Sequence, residues 1–147
     1  MYSISREYAF CAAHRLEGHP KCGRLHGHNY VVTIALEGEP DSQGMILDYA
    51  DLDKTVKPLI EAMDHRYLVS VSNYTAGDLY AAAAIYKGQA YVLWVEASTA
   101  ECLAKMLALA VREGLTEHHP KATITTVIVT VQETPKSKAT YREEVSE

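Results

Sequence analysis

Cysteine and histidine crowd together near the start of this chain. The stretch 21-KCGRLHGHNY-30 holds Cys22, His26 and His28, and 9-AFCAAHRL-16 adds His14. His26 and His28 are two apart, so on an extended strand both side chains leave the same face. A third imidazole, from His14 on a neighbouring strand, completes a tripod. Neutral imidazole suits Zn2+, and three protein ligands leave a fourth position open, as in catalytic rather than structural zinc sites. Cys22 leaves two readings open. Its sulfur could close the tetrahedron and make a structural site, or it could stay off the metal as a catalytic thiol. The spacing C-x3-H-x-H is not that of zinc fingers, which favour paired C-x2–4-C elements. Surface-loop histidines are the plainer alternative, commoner for an isolated His than for a triplet.

Two further candidates lie downstream. In 64-DHRYL-68, Asp64 beside His65 can hold an imidazole in one tautomer. The alternative there is an exposed polar helix end. Glu133 closes the strongest strand in the chain, where a routine strand-end carboxylate is the competing reading.

These residues need elements to position them. Residues 2–13 alternate loosely and residues 28–37 are rich in β-branched side chains, which predicts two strands flanking the loop 17-EGHPKCG-23. After the turn 38-GEPDSQG-44, Leu52, Val56, Leu59, Ile60 and Met63 recur at helical spacing, predicting a helix from Tyr49 to Met63 that Pro58 kinks or breaks. Thr75 to Lys87 reads as a short alanine-rich helix closed by Gly88, and 90-AYVLWVE-96 as an extended strand. The capping box 98-STAE-101 opens another helix, with Gly114 as its stop. Residues 122–133 predict a strong strand and 138–144 a weaker one. The main order, strand–strand, helix–helix, strand–strand, lacks strand–helix alternation and argues against a parallel sheet. The expected architecture is α+β: an antiparallel four-stranded sheet with two main helices on one face.

Bulk properties narrow the function. A chain of 147 residues fits one domain spanning 1–147, with length for a real core. A formal net charge of −5 argues against a general nucleic-acid binder. Three widely spaced cysteines, Cys11, Cys22 and Cys102, do not form a disulfide framework and suit a reducing compartment. The opening MYSISREYAF alternates instead of forming a basic-then-apolar leader, and no apolar run approaches the roughly 20 residues of a membrane helix. A cytoplasmic protein with no membrane partner is expected.

Six segments together resemble the 6-pyruvoyl-tetrahydropterin synthase / 6-carboxy-tetrahydropterin synthase family: 10-FCAAHRL-16, 22-CGRLHGHNY-30, 44-GMILDYADL-52, 64-DHRYL-68, 98-STAECLA-104 and 131-VQET-134. The second is close to diagnostic and favours the bacterial, queuosine-pathway type. The resemblance implies the tunnelling fold, in which a trimer closes its sheets into one barrel and two trimers stack as a homohexamer with active sites between subunits. It implies a lyase with Zn2+ as cofactor, held by His14, His26 and His28. Cys22 is implied as the catalytic thiol, with Asp64 and His65 as its relay partners from a neighbouring subunit. Glu133 is implied as the pterin anchor and Thr99 as a pocket-lining residue. The implied substrate is 7,8-dihydroneopterin triphosphate. The implied products are 6-carboxy-5,6,7,8-tetrahydropterin, acetaldehyde and triphosphate, on the route to queuosine and other 7-deazapurines. A 6-pyruvoyl product and a non-catalytic zinc-binding module are the alternatives. Lys21, Arg24, Lys136 and Lys138 are candidate triphosphate contacts. The chain departs from the family pattern in its long stretch between His65 and Thr99, in Ser98 where many members have proline, and in Cys102 where asparagine is common.

Overall fold

β1 (Tyr2–His14) and β2 (His26–Gly38) pair antiparallel along their whole length, with Tyr2 opposite Gly38 and His14 opposite His26. This hairpin is the centre of the protein in a computed structural model that describes residues 1–72 and 78–145. The chain continues through α1 (Tyr49–Met63), β3 (Arg66–Ser70), α2 (Leu79–Tyr86), β4 (Ala90–Leu93), α3 (Ala100–His118), β5 (Ile124–Thr134) and β6 (Ser137–Glu144). The strands form one six-stranded sheet in the order β4-β3-β1-β2-β5-β6.

The α+β class and the helices α1 and α3 agree with the sequence reading; the four-stranded antiparallel sheet is corrected. β3 runs parallel to β1, and β4 runs parallel to β3. The link β3–α2–β4 is a strand–helix–strand crossover, the connection that parallel neighbours require. Its first strand is hard to see in the sequence. It has five residues, four of them buried, so it lacks the polar–apolar alternation that marks a half-buried strand.

The core lies on one face of the sheet. Tyr8, Phe10 and Ala12 of β1 and Tyr30, Val32, Ile34 and Leu36 of β2 point inward at period two. Leu52, Val56, Ile60 and Met63 of α1, with Leu103, Leu107, Val111 and Leu115 of α3, cover them. Full burial of each such side chain contributes about 1.5–3 kcal/mol. Leu68 of β3 joins this core, whereas its neighbours Tyr67 and Val69 pack with Ala81 of α2 in a second small cluster. α2 therefore covers the opposite face of the sheet.

Three local expectations change. α1 runs through Pro58 unbroken; Pro58 lies on the exposed side, where water can reach the Lys54 carbonyl that proline cannot bond. Gly114 does not stop α3, which continues to His118. A Cβ at Gly114 would sit 2.8 Å from Thr55 Cγ2, so this glycine lets α3 approach α1 closely. The start of the alanine-rich helix at Thr75 lies outside the described residues; the described part begins at Asp78, whose side chain caps α2.

Candidate metal centre and active site

The β1–β2 register assembles the three-histidine site. His14 and His26 face each other as cross-strand partners, and His28 follows one pleat along β2. One ring nitrogen from each of His14, His26 and His28 lies within 4.8 Å of the others. The ring centroids are 4.6 to 5.0 Å apart. Backbone carbonyls set two of the tautomers. His14 Nδ1 lies 2.7 Å from the Ser98 carbonyl oxygen, and His26 Nδ1 lies 2.7 Å from that of Arg24. A carbonyl can only accept, so in the neutral rings Nδ1 carries the proton and Nε2 keeps its lone pair.

His14 is 1% exposed, and its Nε2 is buried with no hydrogen-bond partner. Burial lowers its pKa to about 4; the Ser98 hydrogen bond opposes this and the charges of His26 and His28 add to it. A buried, unprotonated and unpartnered nitrogen beside two more imidazoles is a donor set that fits Zn2+. An orphaned buried nitrogen is costly if left alone, and coordination of a metal ion would satisfy it.

Glu133, near the end of β5, brings a carboxylate oxygen to 4.0 Å from His14 Nε2. Burial raises its pKa, with His28 and His26 pulling it down and Glu101 pushing it further up. Tyr30 completes the wall. Its ring stacks on Phe10 at 4.8 Å and meets His28 edge-on at 5.4 Å. Its hydroxyl is buried without a partner, and burial together with the Glu133 charge pushes its pKa up. Tyr30 was missed as a site residue, although the period-two signal that paired His26 with His28 extends to it.

Thr99, and not Ser98, caps α3: the Thr99 hydroxyl accepts the Cys102 N–H at 3.3 Å. The expected capping box is therefore one residue out of register. Ser98 is otherwise engaged, with its carbonyl on His14 and its hydroxyl donating to the Arg15 carbonyl at 3.4 Å.

Cys22 is half-buried and is not part of the three-histidine cluster. All three cysteines are free thiols. Asp64 and His65 sit in the turn between α1 and β3. His65 Nδ1 is 2.9 Å from Asp64 Oδ1, and that oxygen also accepts the Cys11 N–H at 2.9 Å. The Cys11 N–H is the chief reason the Asp64 pKa is lowered. Cys11 is an odd number of residues from His14 on β1, so its side chain leaves the other face of the sheet. There His65, Cys11, Asn29, Tyr67, Tyr80 and Lys87 help to line an open cleft of about 790 Å³. Cys22 does not line this cleft, and among the described residues no hydrogen bond joins it to His65. Within one chain the structure thus unites His14, His26, His28 and Glu133, and His28 also lines the cleft that His65 borders. Lys21, Arg24, Lys136 and Lys138 are all exposed.

Fold and site together define an α+β protein whose central hairpin carries a three-imidazole cluster with the donor set of a metal site. The chain belongs to the 6-pyruvoyl tetrahydropterin synthase family, whose sequence model matches residues 3–144. It is 34% identical over 126 residues to the 6-carboxy-5,6,7,8-tetrahydropterin synthase of Aquifex aeolicus, covering 84% of this chain and 77% of that one. It is 38% identical over 79 residues to the protein of the same name from Haemophilus influenzae, covering 50% of this chain. That match spans 56% of the relative, little more than half its length. The solved structure of 6-pyruvoyl tetrahydropterin synthase from Plasmodium falciparum superposes with a TM-score of 0.79, covering 97% of this chain and 98% of that one. At 18% identity this is a likeness of fold. Among the described residues no helix is long and apolar enough to cross a membrane.

Proposed function

We propose that this protein is a zinc-dependent lyase that converts 7,8-dihydroneopterin triphosphate and one water to 6-carboxy-5,6,7,8-tetrahydropterin, releasing acetaldehyde and triphosphate. The observation that carries the reading is the buried, unpartnered Nε2 of His14 inside the three-imidazole cluster, with the Glu133 carboxylate 4.0 Å away. The names of the bacterial relatives support the carboxy product.

His14, His26 and His28 would hold the ion, which when bound supplies Lewis acidity that eases removal of a proton from the substrate side chain. Glu133 orients the pterin. Its two carboxylate oxygens accept the exocyclic amine and the adjacent ring N–H in parallel, which fixes direction as well as affinity. Cys22 acts as the base; a free thiol has a pKa of about 8.5, so it needs an activating neighbour. His65, held by Asp64, serves as that neighbour by accepting and returning the proton. Among the described residues no hydrogen bond joins the pair to Cys22 within one chain, and in this reading a second copy supplies it. This matches a homohexamer of two stacked trimers with sites between subunits, working in the cytoplasm on the route to queuosine and related 7-deazapurines.

Incubation of the zinc-loaded protein with 7,8-dihydroneopterin triphosphate, followed by mass spectrometry, tests the reading. Acetaldehyde with 6-carboxy-tetrahydropterin is expected. A 6-pyruvoyl product would move the chain to the sister reaction, and intact substrate after long incubation would overturn the assignment.

A further inference from the structure

The loop that carries Cys22 is bonded closely to itself. The Leu16 N–H donates to the Cys22 carbonyl at 2.7 Å, and the Gly23 N–H donates to that of His19 at 2.9 Å. The Cys22 N–H donates to His19 Nδ1 at 2.9 Å. A Cβ at Gly23 would lie 2.6 Å from the His19 carbonyl oxygen, so the loop is wound too tightly there for any other residue. The Arg15 side chain bonds this loop beside Cys22: its Nε donates to the Gly23 carbonyl at 3.0 Å.

Arg15 is itself held. Its Nη1 pairs with Asp78 Oδ2 at 2.7 Å, and the Asp78 side chain is 8% exposed. Asp78 divides its two oxygens between separate tasks. Oδ1 accepts the N–H groups of Tyr80 and Ala81 and caps α2, while Oδ2 holds Arg15. The Ser98 hydroxyl donates to the Arg15 carbonyl. Asp78 and Ser98 thus both hold Arg15, one at its guanidinium and the other at its carbonyl.

We infer that Asp78 is a positioning residue for Cys22, acting through Arg15 on the Gly23 carbonyl next to the thiol. The inference rests on the proposed role of Cys22, but the mechanical link can be measured without turnover. The guanidinium is planar and its Nε and Nη1 donors are fixed in one fork. Anchoring Nη1 in a shielded ion pair therefore fixes where Nε points, and with it the Cys22 loop. Asp78 is thereby linked through one guanidinium to the residue that follows Cys22.

Alkylation of Cys22 by iodoacetamide, quantified cysteine by cysteine by peptide mass spectrometry on the zinc-loaded full-length chain, tests this. Cys102 on α3 serves as the internal reference. Asp78→Asn keeps a good helix cap but removes the charge that holds Arg15. It is expected to raise the Cys22 rate at least about threefold by loosening the loop, leave Cys102 unchanged, and lower kcat with little change in KM. Arg15→Lys keeps the charge and loses the Nε bond to Gly23. It should reproduce the effect without touching the α2 cap, so it carries the test if Asp78→Asn fails to fold. A purely structural role in capping α2 would leave Cys22 reactivity unmoved in both variants, and that result overturns the inference. A changed alkylation rate in a protein that never turns over the pterin would sustain the link and count against the proposed function alone.

Discussion

His14 and Ser98 stand 84 residues apart in sequence, yet a 2.7 Å hydrogen bond from the imidazole Nδ1–H to the Ser98 carbonyl fixes the ring between β1 and the start of α3. That bond leaves Nε2 as the free lone pair, and burial lowers the ring's pKa to about 4. In the unfolded chain the same ring titrates near 6.5. The folded value is the lower one, so the contribution to stability is fully present above about pH 6.5. It is lost as pH falls toward about 4, because the unfolded chain then takes up the proton first. For this nearly inaccessible ring the loss reaches about 3 kcal/mol. Metal-free protein should therefore lose thermal stability across that window, and His14→Gln should flatten the dependence. Parallel melting curves for the two proteins would contradict this.

Metal and thiol separate by mutation. His26→Ala or His28→Ala removes one of three donors from a cluster whose nitrogens lie within 4.8 Å of one another. Either should strip most of the zinc, as measured by elemental analysis after gel filtration. Cys22→Ala should keep one equivalent of zinc and lose turnover by about 10²- to 10⁴-fold, the usual worth of a positioned base. If Cys22→Ala emerges without metal, the sulfur is a fourth ligand and the centre is structural.

His65 has a φ of 58°, in the left-handed region, and a side chain that is 79% exposed. The conformation costs a non-glycine residue about 1–2 kcal/mol. Glycine adopts it freely but gains about 0.5–1 kcal/mol of unfolded-state freedom. Relief wins by a small margin, and little packing is lost at so exposed a position. His65→Gly should thus raise stability by about 0.5–1 kcal/mol in urea unfolding while abolishing turnover. A destabilised variant would mean that the His65–Asp64 contact outweighs the backbone strain.

The histidine tripod was legible because it depends on two short-range rules: the period of two along β2 and the pairing of consecutive strands in a hairpin. α1 and α3 were legible from their apolar spacing. The parallel strands were not, because Tyr67 and Val69 bury on one face of β3 and Leu68 on the other, which erases the alternation. Nor could the sequence place Glu133 beside His14. That proximity follows from the β2–β5 register, in which Val31 faces Gln132, and a slip of one residue would turn Glu133 to the other face. The hold of Ser98 on His14 escaped notice because a backbone carbonyl leaves no trace in residue type.

Glu133 offers the cleanest separation of substrate binding from metal binding. Burial raises its pKa, because the charged form is poorly solvated there. Two donors from a pterin edge would restore the hydrogen bonds it lacks. Glu133→Gln keeps the shape and lies on β5, outside the three-histidine cluster, so zinc content should not change. The amide can accept only one of the two donors and opposes the other with its own N–H. Loss of a charge-assisted bond costs about 1.5–3 kcal/mol, which corresponds to KM rising about 10- to 100-fold. The sign of the pH effect also follows. Protonation removes the acceptor pair, and a raised pKa brings protonation in at a higher pH than for an ordinary carboxylate. As pH falls, pterin affinity in the wild-type protein should therefore weaken at a higher pH than an ordinary carboxylate would give, whereas the Gln variant should bind weakly at every pH. Steady-state KM and equilibrium binding of the pterin, measured between pH 8 and 5 as a practical range of roughly the neutral-to-acid limb, would check both. A variant that keeps wild-type KM would remove Glu133 from the pterin site.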